Sequence, residues 1–127
     1  MKKREADFGK QFRAWVRKQT LIPSSAFELK QTTKDYIAFD ALQGHQEVAL
    51  LAASRNNGIL YKAPDDSRGV KPFDFFFLRA APAFVVIKYP QGFEGIDIET
   101  FIMERERSTR KSLTYERAHQ ISVFSGV

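Results

Sequence analysis

Two residues near the start of the sequence, Glu28 and Lys30, have types and a spacing that could do chemistry. They lie in the short, apolar and alternating segment 26–30, which predicts a β-strand, and residues two apart on a strand point to the same face. A carboxylate there can ligate a divalent metal, while the ammonium beside it can stabilise an attacking hydroxide or a phosphorane charge. The same pattern is also typical of a surface ion pair.

Gln46 provides a second observation. The spacing of apolar residues predicts a helix over 40–54, and Gln46 falls on its buried stripe together with Leu42, Ala49 and Ala53. A polar side chain on a buried stripe needs a hydrogen-bond partner. It either satisfies a backbone group or reaches over the end of the strand toward Glu28 and Lys30.

The elements that would position these residues predict an α/β (α+β) fold in one domain, residues 1–127. Helices are expected over 5–18, 40–54, 99–107 and 115–122, the last with Thr114 as N-cap, and strands over 26–30, 59–62, 73–78, 83–89 and 93–98. Strands 73–78 and 83–89 are nearly all apolar, which predicts cover on both faces, and residues 79–82 would join them as a tight hairpin. The order predicts a mixed central β-sheet flanked by helices.

Composition limits the kinds of site available. The 127 residues include no cysteine and only two histidines, His45 and His119, so a thiolate site is excluded and the histidines alone cannot build a zinc site. A metal would be held by carboxylates, which indicates Mg²⁺ or Mn²⁺. No apolar run approaches the roughly 20 residues of a membrane span. We therefore expect no membrane partner and a cytoplasmic location.

Basic residues are concentrated near both ends of the chain, which has a net charge of +5. Such patches attract polyanions and bind them through counterion release, although a single run is more often a solvated helix face. Lys62 either contacts phosphate or is a strand-end lysine at a solvent edge. The candidate nucleic-acid-binding residues are Lys10, Arg13, Arg17, Lys62, Arg110 and Lys111.

A family resemblance follows from the first two features. Glu-x-Lys-x-Thr on a strand, then a Phe and a His-Gln pair opening a helix, resembles the PD-(D/E)XK nuclease superfamily. Residues 27–32 and His45-Gln46 are most similar to the RecU-type Holliday-junction resolvases, and residues 71–74 and 110–113 to related short phage and prophage proteins. The clear match covers residues 26–54, with weaker support up to 90. The resemblance implies a restriction-endonuclease-like fold and a metal-dependent endonuclease in a bacterial or phage-infected cell.

The sequence departs from that superfamily at one position. Its members normally carry an Asp on the strand before Glu-x-Lys, and no acid lies between Asp7 and Glu28 here. Asp74 is the leading replacement ligand, because a charge that begins an apolar strand needs a metal or a partner. Asp65, otherwise a turn residue, is second. Glu5 is third, by similarity to a helix-borne Glu in archaeal resolvases, and is otherwise an acid favoured by the helix dipole.

A second register of the motif is also open. Asp74, followed after eleven residues by Val86-Ile87-Lys88, has the superfamily layout with Val86 where the acid belongs. Lys88 would then replace Lys30 as the catalytic lysine. Both registers keep Asp74 and Glu28 in the site.

Together these features predict a Mg²⁺-dependent endonuclease on branched DNA, with Glu28, Lys30, Asp74 and Gln46 as its catalytic residues. A homodimer is expected because junction cleavage needs two symmetric cuts, with Phe75, Phe76, Phe77 and Phe84 either at its interface or in the core of one subunit. The alternatives are a non-catalytic nucleic-acid-binding protein on a degenerate nuclease fold, and an adaptor whose aromatic surface binds protein.

Overall fold

The computed structural model describes residues 2–19, 24–63, 69–71 and 73–127, with side chains in the first helix described from residue 7 onward. The helices are α1 Lys2–Arg17, α2 Gly44–Ser54, α3 Ile98–Arg107 and α4 Tyr115–Ile121. The strands are β1 Ala26–Gln31, β2 Tyr36–Ala38, β3 Ile59–Lys62, β4 Phe75–Leu78, β5 Ala83–Tyr89, β6 Gly92–Asp97, β7 Ser112–Thr114 and β8 Phe124–Gly126. No described helix is long and apolar enough to span a bilayer.

Among the described residues, the central sheet is mixed and has four strands in the order β1-β5-β6-β8, with β1 at its edge. β1 is parallel to β5, whereas β5–β6 and β6–β8 are antiparallel. Two further sheets have two strands each, β2 with β7 and β3 with β4. The expected α+β class, with a central mixed sheet flanked by helices, is confirmed.

The helices divide between the two faces of the central sheet. Phe8 and Phe12 of α1 pack with Val86 and Phe93 on one face, because the apolar residues of α1 recur at helical spacing. On the other face, Val85, Ile87 and Ile96 pack with residues of α2, α3 and α4, among them Leu50, Phe101 and Ala118. Each face of the sheet therefore has its own apolar cluster.

The predicted hairpin between residues 73–78 and 83–89 is wrong. β4 pairs with β3 instead, and β5 pairs with β1 and β6. Residues 79–82 lie against the end of α2, where the backbone N–H groups of Ala80 and Ala81 donate to the carbonyls of Arg55 and Ala53. The tight hairpin is the β5–β6 turn, in which Tyr89 pairs with Gly92 around two residues.

The burial of the two apolar strands also differs. β5 is covered on both faces as expected, but Phe75 and Phe77 of β4 are exposed because β4 belongs to a two-stranded ribbon with one free face. The second helix begins at Gly44 rather than at residue 40, after a short 3₁₀ helix at Phe39–Ala41. Three-residue strands β2, β7 and β8 have too short a pattern for sequence periodicity to reveal.

Candidate functional site

Glu28, Lys30 and Gln46 meet at the β1 edge of the α2-covered face of the sheet. The Gln46 amide donates to Glu28 Oε2 at 3.1 Å, and Lys30 Nζ lies 3.8 Å from the same oxygen. The Lys30 side chain is 16% exposed and that of Glu28 is 30% exposed, so the carboxylate remains accessible to solvent. Both interpretations of Gln46 are confirmed: its amide nitrogen reaches Glu28 beside Lys30, and its amide oxygen satisfies the backbone N–H of Gln43.

Several interactions fix α2 so that Gln46 reaches the strand. Gln46 Oε1 accepts from the Gln43 backbone N–H at 3.0 Å, which turns the amide nitrogen toward Glu28. The next residue, Glu47, forms an ion pair with Arg105 of α3, and this hydrogen bond raises the pKa of the Arg105 guanidinium. Because Leu50 is buried one turn further along, α2 has little freedom to rotate.

Glu28 and Gln46 line a cleft of about 460 Å³, and Lys30 adjoins it through its contact with Glu28. One wall is the β3–β4 ribbon, whose Tyr61 and Phe76 rings stack with centroids 5.7 Å apart. His45 at the start of α2 also lines the cleft. Sequence reasoning used His45 only as part of a motif and did not place Tyr61 or Phe76 in the site. The sequence signal that could have placed these two rings was the alternation of side chains between the two faces of their short strands.

The residues around Glu28 limit how a metal ion could be bound there. No group of three His, Cys, Asp or Glu residues with metal-binding geometry occurs among the residues described. Mg²⁺ is commonly held by one or two carboxylates together with waters and substrate phosphates, and the solvent-accessible Glu28 carboxylate fits that mode of binding. A second carboxylate would come from the three acids considered next.

The three acids proposed as further ligands are placed differently. Asp74 is exposed at the start of β4 and is not a lining residue of the cleft, although Phe76 and Leu78 of the same strand are. Its backbone carbonyl accepts from the Ala63 N–H. Asp65 lies outside the described residues, as does the side chain of Glu5. Glu28 is thus the one proposed ligand that the structure places on the cleft.

The alternative register, with Lys88 as the catalytic lysine, does not agree with the geometry. Lys88 Nζ donates to Gln11 Oε1 of α1 at 2.8 Å and lies over the Phe8 ring. Glu28 contacts α2, which covers the opposite face of the sheet. Lys88 and Glu28 therefore do not share a site.

The candidate nucleic-acid-binding residues are all exposed but are spread over several surfaces. Lys10, Arg13 and Arg17 lie on α1, on the face of the sheet away from Glu28, where Arg13 and Arg17 line a groove of about 360 Å³ beside β1. Lys62 is at the end of β3, and Arg110 and Lys111 precede β7. Arg110 lines a further depression with Arg107 and Arg117.

A buried glutamate that sequence reasoning missed lies elsewhere on the sheet. Glu94 of β6 is 1% exposed, and its carboxylate lies 3.2 Å from His119 Nδ1 and accepts from Ser125 Oγ. Burial, with the Glu94 charge nearby, raises the pKa of the Tyr89 hydroxyl above its usual range. The sequence signal for this site was an acid within an apolar strand, because a buried carboxylate must have partners. These contacts satisfy Glu94 within the fold.

Comparison with known proteins gives no further assignment. No protein family model, curated protein or solved structure matches this chain.

Proposed function

We propose that this protein is a metal-dependent DNA endonuclease that hydrolyses phosphodiester bonds in branched DNA, on a PD-(D/E)XK, restriction-endonuclease-like fold. The observation that carries the proposal is the convergence of Lys30 and Gln46 on the carboxylate of Glu28, which lines a cleft. The three residues come from two elements, and Glu28 contacts both of the others. A surface ion pair would not require the glutamine.

Each residue has a distinct task under this proposal. Bound Mg²⁺ (or Mn²⁺) would supply Lewis-acid activation of water and neutralise phosphate charge. Glu28 offers the anionic oxygen donor, and Gln46 holds that carboxylate in orientation by donating to Oε2. Lys30 places a positive charge where negative charge develops on the phosphoryl oxygens. Because Lys30 is only 16% exposed, its ammonium is less screened than a surface lysine.

The DNA partner is supported by the positions of the basic residues. Exposed arginines and lysines lie on two separate surfaces, α1 and the segment before β7, and both surfaces can contact phosphates. A four-way junction has more than one duplex arm, and separate basic surfaces suit such a substrate. We further propose that two copies act together, because resolution of a junction needs two symmetric cuts.

A non-catalytic nucleic-acid-binding protein on the same fold is the second candidate. It is favoured by the state of the Glu28 carboxylate, which is already hydrogen bonded to Gln46 and ion paired with Lys30, with no cluster of three potential ligands among the described residues. In that case the basic surfaces would remain functional and the cleft would be a structural remnant.

Incubation of the protein with a four-way junction, a linear duplex and a single strand tests the proposal. With Mg²⁺ we expect cleavage of the junction in preference to the linear duplex, and with EDTA we expect binding without cleavage. Cleavage is measured on end-labelled strands in denaturing gels. Junction binding with no cleavage in either Mg²⁺ or Mn²⁺ would contradict the enzyme and favour the binding protein.

Neutralising Arg13 and Arg17 together should weaken DNA binding regardless of sequence. Each phosphate contact releases condensed counterions, so loss of two contacts should flatten the slope of log K against log salt by about one to two units. The measurement is fluorescence anisotropy in EDTA over a series of salt concentrations. The matched control is the pair Lys34→Gln and Arg55→Gln, which removes the same charge from other exposed positions. An equal change in both pairs would show a net-charge effect rather than contacts by α1.

A further inference from the structure

The β3–β4 ribbon has two unlike faces. In its antiparallel register, Ile59 lies opposite Leu78 and Tyr61 opposite Phe76, and Tyr61, Phe76 and Leu78 line the cleft that contains Glu28. The alternate residues form the other surface, which we call the outer face; it consists of Leu60, Lys62, Phe75 and Phe77.

The outer face is unusually apolar for an exposed surface. Leu60 is 65% exposed, Phe75 58% and Phe77 55%. Phe77 lies over Gly58, where the absence of a side chain matters because a Cβ would overlap the ring. Contiguous exposed apolar side chains, unlike single scattered ones, are a feature of binding surfaces. The outer face therefore presents two aromatic rings, one of them seated on the backbone.

The size of the outer face argues against a second copy of the chain as its occupant. Each strand contributes four residues, which span about 13 Å, and the two strands lie roughly 5 Å apart. A stable protein interface buries about 800 Å² on each partner, far more than such a patch offers. A nucleobase is similar in size to a Phe ring and needs only the face of that ring for stacking.

The positive charge at the outer face also favours a nucleic acid as its partner. Lys62 lies directly opposite Phe75 on the outer face. Exposed Lys71 and Arg79 flank β4. Among the described residues between them, Asp74 is the one acid. Aromatic rings beside cationic side chains are the combination that binds single-stranded nucleic acid, since the rings stack bases and the cations contact phosphates. A protein partner attracted by these cations would need a net negative charge. That attraction alone would not involve the aromatic rings.

We propose that the outer face binds unpaired nucleobases by stacking on Phe75 and Phe77, with Lys62 at the adjoining phosphate. This is a binding site separate from the Glu28 cleft, which lies behind the ribbon. It does not require metal or cleavage, so it stands independently of the proposed nuclease activity. If both are present, the ribbon holds unpaired bases on one side and forms a wall of the cleft on the other.

The test is the affinity of the full chain for a fluorescein-labelled oligothymidylate and for a duplex of the same length, both in EDTA. Phe75→Ala should weaken oligothymidylate binding roughly tenfold and leave duplex binding unchanged. Phe75→Tyr should bind as the wild type, because it keeps an aromatic face. Phe75→Leu keeps an apolar side chain without that face and should bind as weakly as Phe75→Ala.

Val48→Ala is the matched control, since Val48 is 66% exposed and lies on α2 rather than on the ribbon. Its affinity should equal that of the wild type. Wild-type affinity in Phe75→Leu would overturn stacking, and an equal loss for duplex and single strand would overturn the preference for unpaired bases. Sedimentation in which the wild type is a dimer and Phe75→Ala a monomer would instead assign the outer face to a second copy.

Discussion

Replacing Glu28 with glutamine should abolish cleavage of branched DNA while DNA binding persists or tightens. The substitution keeps the shape of the side chain but removes the anionic donor to a divalent metal. It also removes a negative charge that would repel the phosphate backbone. Single-turnover cleavage and DNA binding in EDTA, both measured on the same preparation, separate the two effects.

Glu116→Gln provides the control for Glu28→Gln, because Glu116 is an exposed acid at the start of α4. It should cleave as the wild type. Lys30→Ala is the informative comparison: loss of one charge that stabilises the transition state should cost about 2.7–4 kcal/mol in activation free energy, by analogy with an oxyanion-hole donor. Its binding should change little. If Lys30→Ala abolished binding instead, Lys30 would be a docking residue and the enzyme proposal would fail.

Phe93→Ala should lower the free energy of unfolding by about 3–5 kcal/mol, the usual cost of emptying a buried phenylalanine site. Phe93 is 1% exposed at the centre of the α1-covered face. Its ring contacts those of Phe8, Phe12, Trp15 and Phe124, so several partners lose packing together. Urea unfolding followed by circular dichroism measures the change.

The same substitution at an exposed position is the comparison for Phe93→Ala. Phe75→Ala removes a ring of equal size from the outer face and should change the free energy of unfolding far less, because that ring is 58% exposed. Equal losses at the two positions would mean that the burial described for Phe93 does not govern stability.

The part of the site predicted from sequence was the part encoded by local periodicity. The alternation around Glu28 and Lys30 predicted their shared face, and the helical stripe predicted that Gln46 would need a partner; both agree with the contacts observed. The bounds of β3 and β5 and the Thr114 N-cap followed from similarly local patterns. Each of these inferences depends on residues within about one turn or a few strand positions.

Inferences that depended on strand pairing succeeded less well. Two adjacent apolar strands favoured a 73–78/83–89 hairpin, but the pairing of Lys62 with Phe75 places β4 in a separate ribbon. Periodicity carries no information about which strand lies beside which, so it could not show that Tyr61 and Phe76 form a wall of the cleft. The buried Glu94 was missed for a related reason, since His119 and Ser125 lie far along the chain.

The parallel pairing of β1 with β5 has a consequence for the order in which the protein assembles. It joins Ala26 to Ala83 across all of α2 and the ribbon, whereas β5 and β6 meet through a two-residue turn. Closing the longer loop costs more chain entropy, so the β5–β6 hairpin should form first and β1 should dock later. During synthesis, Glu28 leaves the ribosome well before β5, the strand with which β1 pairs. We therefore expect a stable Glu28–Gln46 contact only after β5 has been synthesised and has paired with β1.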